Sequence, residues 1–182
     1  MFINPRHVIE QGWITGPQQT IDEKYIQPNA LDFTIDRLFS INDNDPFIIS
    51  DRGKTMRGGN EIIPTTYSDP ADGIPWEGLF WNVESHKVYD AMSNFHVKVP
   101  DDVAVMLIIR STFNRNGLFL TSGLYDTGFD GSVGFAIPNR SGVARIAPGT
   151  RVGQIMFMDA DSAGKYAGQY NTEARQHWTE TR

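Results

Sequence analysis

The sequence predicts a mainly β protein, an antiparallel sandwich or barrel with one short helix at its N-terminus. Three observations support this fold class. Apolar and polar residues alternate in short segments, the segments recur at intervals of about 8 to 12 residues, and turn-forming residues separate them. A chain of 182 residues is long enough for one well-buried domain and short for two, so residues 1–182 are expected to form a single domain.

The helix signal lies in residues 1–14. Asn4 is a suitable N-cap, Pro5 fits the first helical position, and Gly12 ends the pattern. These three residues predict a short N-terminal helix.

Short extended segments make up the rest of the chain. Apolar residues alternate with polar ones from Leu31 to Ile35, as in a half-buried strand. Residues 41–78 are rich in Asp, Asn, Gly and Pro, and we interpret them as loops that join short strands around FIIS and EIIP. The later strand candidates are FHVKVPDD, VAVMLIIR, GLFLTSG, SVGFAIPN, VARIAPGT and VGQIMFMD. Residues 160–182 are predicted to form a C-terminal flap or tail.

Composition excludes several classes of function. The formal charge of −6 and pI near 5.1 argue against nucleic acid or an anionic membrane as the main partner, although local Arg and Lys residues could still bind a free nucleotide. The chain has no cysteine, which excludes disulfides, thiolate zinc sites and a Cys nucleophile. Without a secretion signal or a long apolar run, the sequence predicts a cytoplasmic protein.

The segment RSTFNRNG contains residues that suit a phosphate site. Arg110 and Arg115 carry fixed positive charge, and Ser111 and Thr112 offer hydroxyl groups. Guanidinium groups pair bidentately with phosphate oxygens, so the segment could bind a phosphate. The alternative is a polar turn whose Arg residues form surface ion pairs.

The segment GLYDTGFDG places Asp126 between Gly123 and Gly128. Glycines allow a backbone to approach a ligand closely, and a carboxylate held there could activate water or lie near a metal. The alternative is a hairpin in which Asp and Gly serve only the turn. An aspartic protease would need two such aspartates sharing a proton, and no further motif supports proteolysis.

Other catalytic motifs are absent. The four histidines lack metal-ligand spacing, and neither the zinc deaminase elements nor a Walker loop is present. Near the C-terminus, AGKYAGQYN could form a flap that contacts a phosphate and an aromatic group, or a polar tail.

Five segments in order resemble the motifs of the dCTP deaminase/dUTPase superfamily. They are IQPNALDF, VKVPDDVAVMLIIRSTFNRNGL, GLYDTGFDGSVGFAIPN, PGTRVGQIMF and GKYAGQY. The resemblance covers most of the chain, from about Tyr25 to Tyr170. It implies a distorted jelly-roll or β-barrel fold, a homotrimer with active sites shared between subunits, and a pyrimidine deoxynucleoside triphosphate as ligand with Mg²⁺ as cofactor.

The resemblance also implies roles for individual residues. Asp126 would deprotonate the attacking water, Phe129 would pack against the deoxyribose, and the hairpin backbone from Thr121 and Ser122 to Leu124 would recognise the base. Asp32 matches the acid of the first motif, with a water-mediated contact to the metal, although the residues that follow it depart from the family pattern. Arg115 would be catalytic together with Asp126 and would also contact the triphosphate. The other residues that would hold the triphosphate are Arg110, Ser111, Thr112, Gln154 and the flap residues Lys165, Tyr166 and Gln169.

One departure from the deaminase pattern bears on the reaction. Deaminases of this superfamily carry a Glu on the strand after the third-motif Asp, whereas this chain has Ala136. A methyl group cannot transfer a proton, so the deaminase mechanism loses its acid/base. The flap is nevertheless of the deaminase type, and the chain combines features of both branches.

The primary hypothesis is therefore hydrolysis of dUTP to dUMP and pyrophosphate. The alternative is a dCTP deaminase, or a bifunctional enzyme, in which another group such as Glu77 or Glu84 replaces the missing Glu. A third hypothesis is a nucleotide-binding regulator without turnover.

Overall fold

The computed structural model describes residues 1–18, 20–69 and 76–168. Strands predominate among them. In chain order the elements are α1 (Pro5–Glu10), β1 (Ile14–Thr15), a 3-10 helix (Glu23–Tyr25), β2 (Leu31–Ile41), β3 (Ile49–Ser50), β4 (Gly53–Lys54), β5 (Gly59–Glu61), β6 (Thr65–Asp69), β7 (Trp76–Val83), β8 (Val88–Lys98), β9 (Val103–Ile109), α2 (Ser111–Arg115), β10 (Asp130–Pro138), β11 (Ala144–Ile146) and β12 (Arg151–Asp159).

A large antiparallel sheet organises the fold. Its strands follow the order β1-β8-β2-β12-β9, with β10 also pairing with β8 and β5 with β2. A second sheet has the order β11-β7-β6, and β3 and β4 form a hairpin. Side chains such as Phe33, Phe95 and Ile155 are fully buried in the core that these strands enclose. The predicted all-β class with a short N-terminal helix is confirmed.

The N-terminal helix is shorter than the predicted 1–14. Asn4 caps it as expected, accepting a hydrogen bond of 2.9 Å from the Arg6 amide, and Pro5 occupies its first turn. Gly12 then adopts a positive φ of 67°, which breaks the helix. Ile14 begins β1 and pairs with Val97 of β8.

Three further predictions about elements were wrong. The segment 65–69, assigned to loops, forms β6 against β7. GLFLTSG contributes only two isolated bridges, one to β10 and one to Asn139 just after it, rather than a strand. The RSTFNRNG turn contains α2. No helix in the described part of the chain is long and apolar enough to cross a membrane.

Candidate active site

A cavity of about 350 Å³ lies between the hairpin that contains Ser122 to Tyr125 and strands β8 and β10. Thr121 and Ala136 pair through two backbone hydrogen bonds of 3.0 and 2.8 Å, which attach the hairpin to β10. The segment predicted to recognise a base therefore lies beside Ala136, the position at which the family's deaminases are expected to carry Glu.

Aromatic rings form one wall of this cavity. The Phe129 ring lies 5.0 Å from the Tyr125 ring and 5.6 Å from the Tyr166 ring, centroid to centroid. The Tyr125 hydroxyl donates to the Gly134 carbonyl. Burial raises the pKa of Tyr125 well above its usual value, and the nearby Asp90 charge adds to that shift. Tyr125 is therefore a neutral hydrogen-bond donor at physiological pH.

A second cleft, of about 390 Å³, contains Asp126. Lys165 and Asp161 line the same cleft, and the cleft shares Leu124 and Tyr166 with the first cavity. The Asp126 side chain is exposed. A ligand with an apolar ring in the first cavity could thus extend a charged group towards Asp126 and Lys165.

The first residues of the predicted flap are fixed on the Asp126 hairpin. The Tyr166 amide donates to the Thr127 carbonyl at 2.7 Å, and the buried Thr127 hydroxyl contacts Ser162 at 2.6 Å. Gly128 has a φ of 85°, and a Cβ there would lie 3.2 Å from that of Lys165, so a glycine is needed for this close approach. The Lys165 ammonium also pairs with Asp101 at 2.8 Å, where both groups are exposed.

The predicted phosphate turn lies elsewhere in the chain. Arg110 precedes α2, and its guanidinium donates to the Arg151 carbonyl at 3.1 Å. Ser111, Thr112 and Arg115 are exposed on α2. Of the described residues that line the two cavities, none belongs to 110–115.

Asp32 is buried on β2 and is linked to this turn through Arg151, which contacts both Asp32 and Arg110. Its two oxygens accept hydrogen bonds of 3.0 Å each, one from Arg151 and one from the Gln154 amide. Within one chain Asp32 thus orients Arg151 and Gln154. Its contact with a metal through water stays a prediction.

The described residues therefore place the predicted site in two groups. Around the two cavities lie Thr121, Ser122, Asp126, Phe129, Lys165 and Tyr166. The second group comprises Arg110, Ser111, Thr112 and Arg115 at α2, and Asp32 and Gln154, which are hydrogen-bonded to each other on β2 and β12. Gln169 lies outside the described residues. Glu77 and Glu84, considered as replacements for the missing Glu, line neither cavity.

Two carboxylates that sequence reasoning missed do line the cavities. They are Asp90 in the first and Asp161 in the second. Asp90 lies on β8 and faces the site only because β8 pairs with β10, a long-range contact that no local motif reveals.

The donor set of the second cleft suits Mg²⁺. The ion is typically held by one or two carboxylates together with substrate phosphates and waters, and Asp126 and Asp161 supply such carboxylates. No group of three or more His, Cys, Asp or Glu side chains suited to a metal occurs in the part of the chain that the structure describes.

A family model described as dCTP deaminase-like matches residues 6–160, which is most of the chain. The chain belongs to the dCTP deaminase-like family. One relative of this chain is a "Probable deoxyuridine 5'-triphosphate nucleotidohydrolase" of Methanopyrus kandleri, which is 30% identical over 82% of this chain and 90% of the relative. Another is a "dCTP deaminase, dUMP-forming" of Clavibacter michiganensis, 28% identical over 86% of this chain and 80% of the relative.

The fold of this dCTP deaminase-like chain is also found in a solved structure. The 2'-deoxycytidine 5'-triphosphate deaminase of Agrobacterium tumefaciens superposes with a TM-score of 0.61 at 16% identity and covers 99% of this chain. The chain spans about half of that protein's length (53%). The predicted dUTPase-like fold is confirmed. The two relatives carry different activities in their names, a nucleotidohydrolase and a deaminase.

Proposed function

We propose that this dCTP deaminase-like chain hydrolyses dUTP to dUMP and pyrophosphate. The observation that carries the proposal is the exposed Asp126 carboxylate in a cleft that adjoins the base cavity through Leu124 and Tyr166. The dUTPase name of the Methanopyrus relative supports the same reaction.

Asp126 acts as the general base in this mechanism. It accepts a proton from a water molecule, whose oxygen then bonds to the α-phosphorus while the bond to the pyrophosphate oxygen breaks. Phe129 and Tyr166 supply apolar surface for the nucleoside, and Tyr166 links the nucleoside cavity to the cleft. Lys165 offers positive charge to the triphosphate within the cleft.

Bound Mg²⁺ would neutralise phosphate charge that otherwise repels the nucleophile. Asp126 and Asp161 are the carboxylates of the cleft that would contact the ion or its waters.

Arg110, Ser111 and Arg115 complete the proposed site from another subunit. They lie apart from both cavities within one chain, and the family resemblance implies a trimer with shared sites. Guanidinium groups that arrive from a neighbouring subunit would hold the triphosphate in line for attack.

A dCTP deaminase is the second candidate, because the Clavibacter relative carries that name. Ala136 weighs against it, since no proton-transferring group stands at that position. Incubation with dCTP is expected to release no ammonia, whereas ammonia release would favour the second candidate.

The general-base role is tested with Asp126→Asn. Because the amide cannot accept the proton, kcat for pyrophosphate release from dUTP should fall at least about 100-fold. Affinity for a non-hydrolysable dUTP analogue, measured by calorimetry, should change little. Asp51→Asn, which alters an exposed turn carboxylate outside both cavities, is the matched control. Near-normal turnover by Asp126→Asn would contradict the assigned role.

A further inference from the structure

Asp90 and Ala136 are direct partners in the pairing of β8 with β10. Directly opposed residues in an antiparallel pair present their side chains on the same face, with Cβ atoms about 5 Å apart. Both residues line the 350 Å³ cavity. The strand pair therefore puts a carboxylate immediately beside the position where the chain carries a methyl group.

Asp90 is the sole charged side chain among the described residues that line this cavity. Most of its neighbours there are apolar or aromatic, among them Met56, Met92 and Phe129. Asp90 is half-buried, and its charge contributes, after burial, to the raised pKa of Tyr125. The carboxylate thus acts on groups inside the cavity, where a low dielectric strengthens its interactions.

A carboxylate at the wall of a base cavity discriminates between cytosine and uracil at ring position 4. Cytosine presents an amino group there, which donates to a carboxylate, whereas uracil presents a keto oxygen, which has no hydrogen to donate. A small residue at 136 leaves space for the ring edge beside Asp90.

We propose that Asp90 is a specificity-determining residue that accepts a hydrogen bond from the cytosine amino group, so that dCTP is a second substrate. The cleavage step rests on the proposed diphosphatase function. Water adds to the α-phosphorus of dCTP, the bond to pyrophosphate breaks, and the products are dCMP and pyrophosphate. The amino group stays on the ring.

The test compares kcat/KM for pyrophosphate release from dCTP and dUTP in the wild type and in Asp90→Asn. Wild-type protein should release pyrophosphate from both nucleotides without ammonia. Asp90→Asn keeps the size of the side chain but loses its charge, so kcat/KM for dCTP should fall about tenfold relative to dUTP. Asp36→Asn, an exposed residue of β2 outside both cavities, should leave the ratio unchanged.

Three results would overturn the proposal. The first is a wild type that cleaves dUTP but not dCTP. The second is an equal fall in kcat/KM for both nucleotides in Asp90→Asn, and the third is ammonia release from dCTP that depends on Asp90.

If the wild type cleaves neither nucleotide, the proposed diphosphatase function fails independently of the role of Asp90. The affinities of non-hydrolysable dCTP and dUTP analogues then decide the role of Asp90: a ratio shifted about tenfold by Asp90→Asn supports it, and an unchanged ratio overturns it.

Discussion

Gly153 has no side chain, and this allows close packing of β12 against β2 near Asp32. It follows a register shift in β12 and pairs with Phe33 of β2. A Cβ at this position would lie 2.6 Å from Cε1 of Phe33 and 2.8 Å from the carbonyl oxygen of Ile108. Phe33 is fully buried and packs edge-on against Phe135, so it has little room to move. Any side chain at position 153 would force Phe33 or the backbone to shift, immediately beside the hydrogen bond between Gln154 and Asp32.

Gly153→Ala should therefore destabilise the protein by about 1 to 3 kcal/mol, as expected for overpacking of a well-filled core. The free energy of unfolding in urea measures this change. Gly142→Ala is the matched control, because a Cβ there meets no atom within 4 Å. Equal stability of the two variants would show that Phe33 yields at little cost.

At the scale of elements, the end of β10 is fixed by a buried side chain. The Asn139 amide donates to the carbonyl oxygens of Val83, Glu84 and Gly142 at 3.0, 3.0 and 2.8 Å. These bonds hold β10 against the turn between β7 and β8. Because β10 also pairs with β8, its fixed end stabilises the register that sets Ala136 opposite Asp90.

The sequence predicted those elements that depend on residues close together in the chain. The cap at Asn4 and the turn chemistry around Asp126 correspond to observed structure. The alternation from Leu31 to Ile35 correctly predicted a strand, but the expectation that it would be half-buried was wrong, because β2 is buried on both faces along this stretch. β6 was missed because its residues, TTYSD, are polar and gain their strand geometry from pairing with β7. Asp90 was missed for a related reason, since its place in the cavity depends on a partner 46 positions away, Ala136.

At the scale of the whole molecule, the residues predicted to bind the triphosphate lie apart, within one chain, from the residues predicted to bind the base and activate water. Arg115 lies on α2, whereas Asp126 lies in the cleft with Lys165. An assembly in which α2 of one subunit reaches the cleft of another would unite them. The predicted homotrimer provides such an arrangement by cyclic symmetry.

This arrangement predicts complementation between two inactive variants, Asp126→Asn and Arg115→Ala. In randomly mixed trimers, about one quarter of the sites would combine an intact Asp126 with an intact Arg115 from the neighbouring subunit. Co-refolded mixtures should therefore recover a comparable fraction of wild-type pyrophosphate release, whereas each variant alone stays inactive. A mixture no more active than its parents would place both residues of a site in one chain.

The central claim is that Asp126 directs a water molecule to the α-phosphorus of the nucleotide. Hydrolysis of dUTP in ¹⁸O-labelled water, followed by mass spectrometry of both products, tests it most directly. We predict that the label enters the monophosphate and that the pyrophosphate stays unlabelled. Label in the pyrophosphate would mean attack at the β-phosphorus and would contradict the account.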